Sequence, residues 1–185
     1  MNKLIAVVGM AGSGKSIATD YLKEQGWTKI YFGGAVYERM RNKGITITPE
    51  SQKEYRERLR KKYGMGAVAE ILKEEIEKAY QTNDTVLDGL YSWDEYLILK
   101  EKFPNIKLIC ICCDKKIRYD RIANRKDRPF NHEEIIIRDI SEIENLAKGG
   151  PISYADYYIF NNGNLTDYEK RLKQILEDIT KEGEK

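Results

Sequence analysis

The chain has 185 residues, enough for one domain, and its 32 Lys and Arg against 30 Asp and Glu give a formal net charge of +2. That balance argues against a dedicated nucleic-acid binder, and 41% hydrophobic residues with only 14 Gly and 4 Pro exclude a disordered or fibrous chain. Apolar runs such as Leu4–Val8 are too short to cross a bilayer, and no apolar signal segment follows Met1-Asn2-Lys3, so the expectation is a soluble cytoplasmic protein with no membrane partner.

Leu4–Val8 is continuously apolar, as in a strand covered on both faces. After Gly9–Ser16 come Ile17, Ala18, Tyr21 and Leu22, on one face of a helix that stops at Gly26. A short strand, Lys29–Phe32, ends at Gly33-Gly34, and Thr48-Pro49 opens a charged helix with a capping threonine and an N1 proline. Further strands are read at Thr85–Leu87, Ile106–Cys113 and Tyr157–Phe160, ending respectively at Asp88-Gly89, in Cys113-Asp114 and at Asn161-Asn162-Gly163. Thr166–Glu169 has the form of a capping box, followed by Leu172, Ile175, Leu176 and Ile179 at helical spacing.

Strands alternating with helices predict a three-layer α/β fold: a five-stranded parallel sheet with helices on both faces and right-handed crossovers. The polar, glycine-bearing ends of the strands mark the ligand side. A single domain spans 1–185, with its core at about 1–33, 84–117 and 150–180. A helical insertion occupies about 34–83 and a lid about 118–149. Cys110, Cys112 and Cys113 lie in one apolar run with no fourth cysteine to complete a zinc site, and read as reduced thiols. His132 is the single histidine, which excludes a multi-histidine metal site.

The chemistry is carried by Gly9-Met10-Ala11-Gly12-Ser13-Gly14-Lys15-Ser16, which fits G-x-x-x-x-G-K-[ST] between a strand and a helix. Glycines let backbone N–H groups turn inward around phosphate oxygens, and the following helix, entered through Ile17, aims its positive end at the same anion. Lys15 supplies a charge for the β- and γ-phosphates of ATP, and Ser16 a hydroxyl for Mg²⁺. Asp88 ends a strand, beside the loop if the two strands are neighbours, where a carboxylate can hold Mg²⁺ directly or through water.

Lys115, Lys116, Arg118, Arg121, Arg125, Lys126 and Arg128 form a basic run opposed only by Asp120 and Asp127, and Arg138 follows. Alone this would be a solvated helix face. Beside a phosphate loop it reads as an arginine lid over a transferring phosphoryl group, with Arg118, Arg121 and Arg125 on one helical face. Lys53–Lys62 is also basic and reads first as a solvated face, with Arg56 and Arg60 available to a phosphate-bearing acceptor.

These residues resemble the nucleotide-kinase branch of the P-loop fold. Gly9–Ser16, Phe32–Arg39, Asp88-Gly89 and Arg121-x-x-x-Arg125 are similar to adenylate kinases. Tyr63–Ala67, Val86–Ser92, Arg138-Asp139 and Ala155-Asp156 with Asn161–Gly163 are similar to small adenylate-kinase-related, dephospho-CoA-kinase-like proteins. Adenylate kinases carry Gly-Asp where this chain has Gly33-Gly34, and an arginine where it reads Leu90-Tyr91-Ser92; dephospho-CoA kinases carry an aspartate after the second strand.

The resemblance implies an ATP- and Mg²⁺-dependent kinase of a small nucleotide-like acceptor. Lys15, Asp88, Arg121, Arg125, Arg128 and Arg138 would be catalytic. ATP would lie on Gly9–Ile17, Arg121, Arg125, Asn162 and Gly163, and the acceptor near Gly33, Gly34, Arg39, Arg60 and Tyr91. A dephospho-CoA kinase is the near alternative. A P-loop ATPase working as a switch or with nucleic acid is the alternative of another class.

Overall fold

The computed structural model describes residues 2–126 and 129–183. Five strands, β1 (Leu4–Val8), β2 (Thr28–Tyr31), β3 (Thr85–Asp88), β4 (Lys107–Cys112) and β5 (Tyr157–Phe160), form one sheet in the order β2-β3-β1-β4-β5. Every pairing is parallel, with Val7 beside Asp88 and Asp88 beside Tyr31. β1 is fully buried because both neighbours and both faces are occupied, which is why its five residues are uniformly apolar.

One face is covered by α1 (Lys15–Glu24) and α9 (Leu165–Glu182), where Ala18, Leu22, Leu172 and Ile175 pack on Ile5, Val7 and Ile109. The other face carries α4 (Ala67–Thr82) and α5 (Trp93–Lys102), with Leu72, Ile76, Tyr96 and Leu99 on Ala6, Val8 and Leu108. Between β2 and α4 lie α2 (Phe32–Asn42) and α3 (Pro49–Tyr63), which share a smaller core of Val36, Met40, Tyr55, Leu59 and Ala67. After β4 come α6 (Lys115–Ala123), α7 (His132–Glu144) and the short α8 (Gly149–Ser153). Ala11 of the loop after β1 packs with Tyr119, Ile122 and Ile135 of α6 and α7.

The three-layer parallel fold matches the expectation, and local details differ. Thr48 caps α3 through a reciprocal box with Ser51. The cap of α9, however, is Asn164 rather than Thr166: its Oδ1 accepts from the Asp167 amide at 2.9 Å, so the helix begins two residues earlier. The second strand ends at Tyr31, and Phe32, read as its last residue, opens α2 with Gly33 and Gly34. α6 ends at Ala123, so Arg125 leaves the helical face it was expected to share with Arg118 and Arg121. The three cysteines are free, with Cys110 Sγ 3.6 Å from Cys112 Sγ. Among the described residues no helix is long and apolar enough to cross a membrane.

Candidate active site

The β1–α1 junction is shaped by backbone conformations that need glycine. Gly9, Gly12 and Gly14 have φ of 141°, 80° and 99°, a region that costs other residues about 1–2 kcal/mol. Space closes the same positions. A Cβ on Gly12 would meet the Arg118 carbonyl at 2.7 Å and Ile122 at 2.9 Å, and one on Gly14 would collide with the Asn161 amide. Asn161 Nδ2 donates to the Ser13 carbonyl at 2.8 Å, and the Tyr168 hydroxyl to the Gly14 carbonyl at 3.2 Å, so the loop is braced from β5 and α9. Met10 lies in the same turn, Ser16 and Ile17 are exposed at the start of α1, and the buried Ser13 Oγ has no hydrogen-bond partner. A cradle braced from outside, with an unpartnered hydroxyl inside, fits a phosphate group.

Lys15 Nζ donates to the Gly9 and Met10 carbonyls at 2.9 and 3.1 Å, which holds the ammonium beneath the loop. Burial, and then the nearby Lys148 charge, pulls its pKa down to about 7. Asp88 Oδ2 accepts from Thr19 Oγ1 at 3.2 Å and from Lys29 Nζ at 2.9 Å; Lys29 also reaches Asp20 at 2.8 Å. Asp88 therefore stands where the sequence expected it, but its charge is shared with a lysine that motif reading did not weigh. Among the described residues no three His, Cys, Asp or Glu side chains gather as a metal site. The oxygen set of Ser16 and Asp88 suits Mg²⁺ only in company with phosphate oxygens or water.

The expected lid arginines divide. Arg118 is withdrawn into a buried pair with Asp139 at 2.5 Å, and its Nη1 also donates to the Ala11 carbonyl at 2.8 Å. Arg121 Nη1 lies 3.4 Å from Cys113 Sγ. Arg125, beyond the end of α6, is partly desolvated beside Arg138 and Glu142. Arg138 Nε donates to Glu142 Oε1 at 3.1 Å. Arg128 lies outside the described residues. Glu142 also accepts from Lys148 Nζ at 2.6 Å, and Lys148, only 1% exposed, lies 5.2 Å from the Tyr91 ring centroid.

On the acceptor side the Tyr31 ring lies across Gly33 and Gly34, where added Cβ atoms would approach it to 2.5 and 3.1 Å. Tyr31 is within electrostatic reach of Tyr37, Asp88 and Arg56, and burial raises its pKa. Tyr91 is more deeply covered and its pKa rises further. Arg60, half-buried, faces Glu95 and Arg56. Glu95 accepts from the Tyr91 and Ser92 amides at 2.7 and 3.1 Å, and burial pushes its pKa up to about 7 despite them. Arg39 does not join this group: it is exposed on α2, whose buried residues there are Val36 and Met40, and it bears on Tyr63 instead. At the other rim Asn162 does not touch the loop. Its Oδ1 accepts from the Asp114 amide at 2.8 Å, and Gly163 occupies the bend before α9; the loop contact belongs to Asn161.

Behind the loop is a cavity of about 200 Å³ lined by residues including Gly9, Ser13, Cys112 and Ile152. A larger one, about 690 Å³, opens near Asn2, Tyr80, Lys107 and Thr180, at the opposite end of the strands from the loop. The loop geometry, not cavity size, marks the candidate site.

Comparison with known proteins agrees with this geometry. An AAA domain family model matches residues 5–144. A UPF0200 protein of Thermococcus kodakarensis is 30% identical over 181 residues, covering 95% of this chain and 97% of its own. Among solved structures, shikimate kinase from Bacteroides thetaiotaomicron superposes with a TM-score of 0.62 at 13% identity, covering 96% of this chain and 98% of that one. Dephospho-CoA kinase from Campylobacter jejuni gives 0.55 at 16% identity, covering 96% and 97%. At these identities the two structures speak for the fold, which is that of P-loop kinases.

Proposed function

The chain belongs to the UPF0200 family and matches an AAA domain model over most of its length, and from that premise we propose that it is an ATP- and Mg²⁺-dependent phosphotransferase acting on a small, nucleotide-like acceptor. The observation that carries the reading is the braced Gly9–Ser16 cradle, with Lys15 beneath it and Asp88 at the tip of the adjacent strand. In this reading Lys15 exchanges its two carbonyl partners for β- and γ-phosphate oxygens. Ser16 and Asp88 hold Mg²⁺, with the Asp88 charge moderated by Lys29. Arg125 and Arg138, with Arg121 and Arg128 near them in sequence, neutralise the transferring group.

The acceptor lies against Tyr31 and Tyr91, whose rings suit a base or another flat group, with Arg56 and Arg60 for its phosphate. The segment 34–83 then serves as the acceptor-side insertion, 118–149 as the lid that excludes water, and 1–33, 84–117 and 150–180 as the core. A dephospho-CoA acceptor is the related alternative, and Asp88 would then receive the hydroxyl proton.

The test is ADP formation from ATP with Mg²⁺ across nucleoside monophosphates, dephospho-CoA and small hydroxy compounds, for wild type and Lys15→Ala. Acceptor-dependent ADP formation is expected, falling by roughly 10²–10³-fold in Lys15→Ala at an unchanged melting temperature. Hydrolysis that exceeds transfer to every acceptor would overturn the reading in favour of a switch-type ATPase.

A further inference from the structure

Lys148 is the most deeply buried charged residue among those described, and the arrangement above gives it no task. Its Nζ donates to Glu142 Oε2 at 2.6 Å, and its amide to the Glu142 carbonyl at 3.2 Å. It is reached through Ala147, the one non-glycine residue with positive φ among the described residues, at 47°. Two costs therefore meet here: a strained backbone, and an ammonium taken out of water. The fold gains little in return, since a buried ion pair is commonly replaced by apolar side chains at no loss of stability.

The surroundings supply the reason. Lys15 lies within electrostatic reach of Lys148, Arg138 and Glu142, and Arg125 within reach of Arg138 and Glu142. Asp88 is already matched by Lys29. Asp139, also in reach of Lys148, is paired with Arg118. Four cations, buried Lys15 and Lys148 with the more exposed Arg125 and Arg138, are thus gathered around Glu142. Positive charge in such excess is complemented by a polyanion. Lys148 has the Tyr91 ring 5.2 Å away and bears on Glu95 as well, so it faces the acceptor side while Lys15 faces the loop.

We propose, resting on the phosphotransferase reading, that Lys148 is a second phosphate-contacting lysine, which leaves Glu142 to Arg138 and binds the terminal phosphoryl group of a nucleoside triphosphate between donor and acceptor. Glu142 is its resident counter-ion, holding the ammonium charged and in place until that group arrives. The consequence is selective: Lys148 distinguishes ATP from ADP, whereas the loop holds both.

Calorimetric titration with Mg-ATP and Mg-ADP tests this in wild type, Lys148→Met, Lys148→Arg and the double variant Glu142→Gln/Lys148→Met. The double variant removes the pair whole and leaves no bare carboxylate, so it keeps the fold if the single variant does not. Loss of Lys148 is expected to weaken ATP binding roughly ten- to a hundredfold and ADP binding by less than about twofold, with Lys148→Arg retaining most of the preference. A folded double variant with the wild-type ratio of the two affinities would falsify the proposal alone. Failure of wild type to bind either nucleotide would bring down the phosphotransferase reading and this proposal together.

Discussion

The Gly9–Ser16 loop and the charged cluster of α7 and the turn before α8 lie within electrostatic reach of each other through Lys15, yet they are assembled differently. The loop is eight consecutive residues whose shape follows from the φ angles of its glycines. The cluster is made of side chains, Arg138, Glu142 and Lys148, each positioned by a partner and each costly without it. A local device tolerates change in its surroundings. A device of paired charges fails when one member is removed.

The sharpest way to break that distinction is at Arg118, which joins the two regions. Its guanidinium pairs with Asp139 of α7 while donating to the Ala11 carbonyl. Arg118→Met leaves Asp139 buried without a counter-charge and should cost about 3–5 kcal/mol, read as a lowered denaturant midpoint. If the midpoint holds, Asp139 has found water or another donor and the cluster is more forgiving than its burial suggests.

A smaller effect is expected at Glu95. Its folded-state pKa is raised from 4.5 to about 7, so between those values the folded chain holds a proton that the unfolded chain has released. Stability therefore falls as pH rises through that window, by up to about 3 kcal/mol. Glu95→Gln, which keeps an acceptor for the Tyr91 and Ser92 amides, should remove this slope; thermal melts from pH 4.5 to 8 check it. An unchanged slope would place the titration elsewhere.

The smallest effect is expected at Arg39, exposed and turned toward Tyr63. Arg39→Ala should change stability by less than about 0.5 kcal/mol and leave acceptor KM unaltered, while Arg60→Ala raises it. Steady-state kinetics on the best acceptor decides between them, and a raised KM in Arg39→Ala would return that residue to the site.

The same contrast explains what could be read without coordinates. The five strands, the loop and Asp88 at a strand end were legible because each depends on residues adjacent in sequence or on simple periodicity, whereas the strand order was not. Arg125 was misplaced because helix ends are weakly encoded, and α6 stops at Ala123 without a strong signal. The sequence offers Arg39 beside Arg56 and Arg60, and Asn162 within the turn 161–163, without a way to rank them, because a motif gives a neighbourhood, not a direction for each side chain. Lys148 and Lys29 carried no motif at all. Lysines are common and usually solvated, and only burial beside Glu142 and Asp88 separates these two from the rest.

The sheet order also sets a schedule. β1 leaves the ribosome first, but Leu4 pairs with Thr85 and Ile5 with Lys107, and the helix covering one of its faces includes Leu172 and Ile175 near the end of the chain. No early fragment can bury Leu4–Val8 on all sides. Long-range closure of this kind is entropically slow and leaves an apolar strand exposed meanwhile. The chain must therefore be made through Ile175 before β1, on which the Gly9–Ser16 loop rests, is covered on both faces.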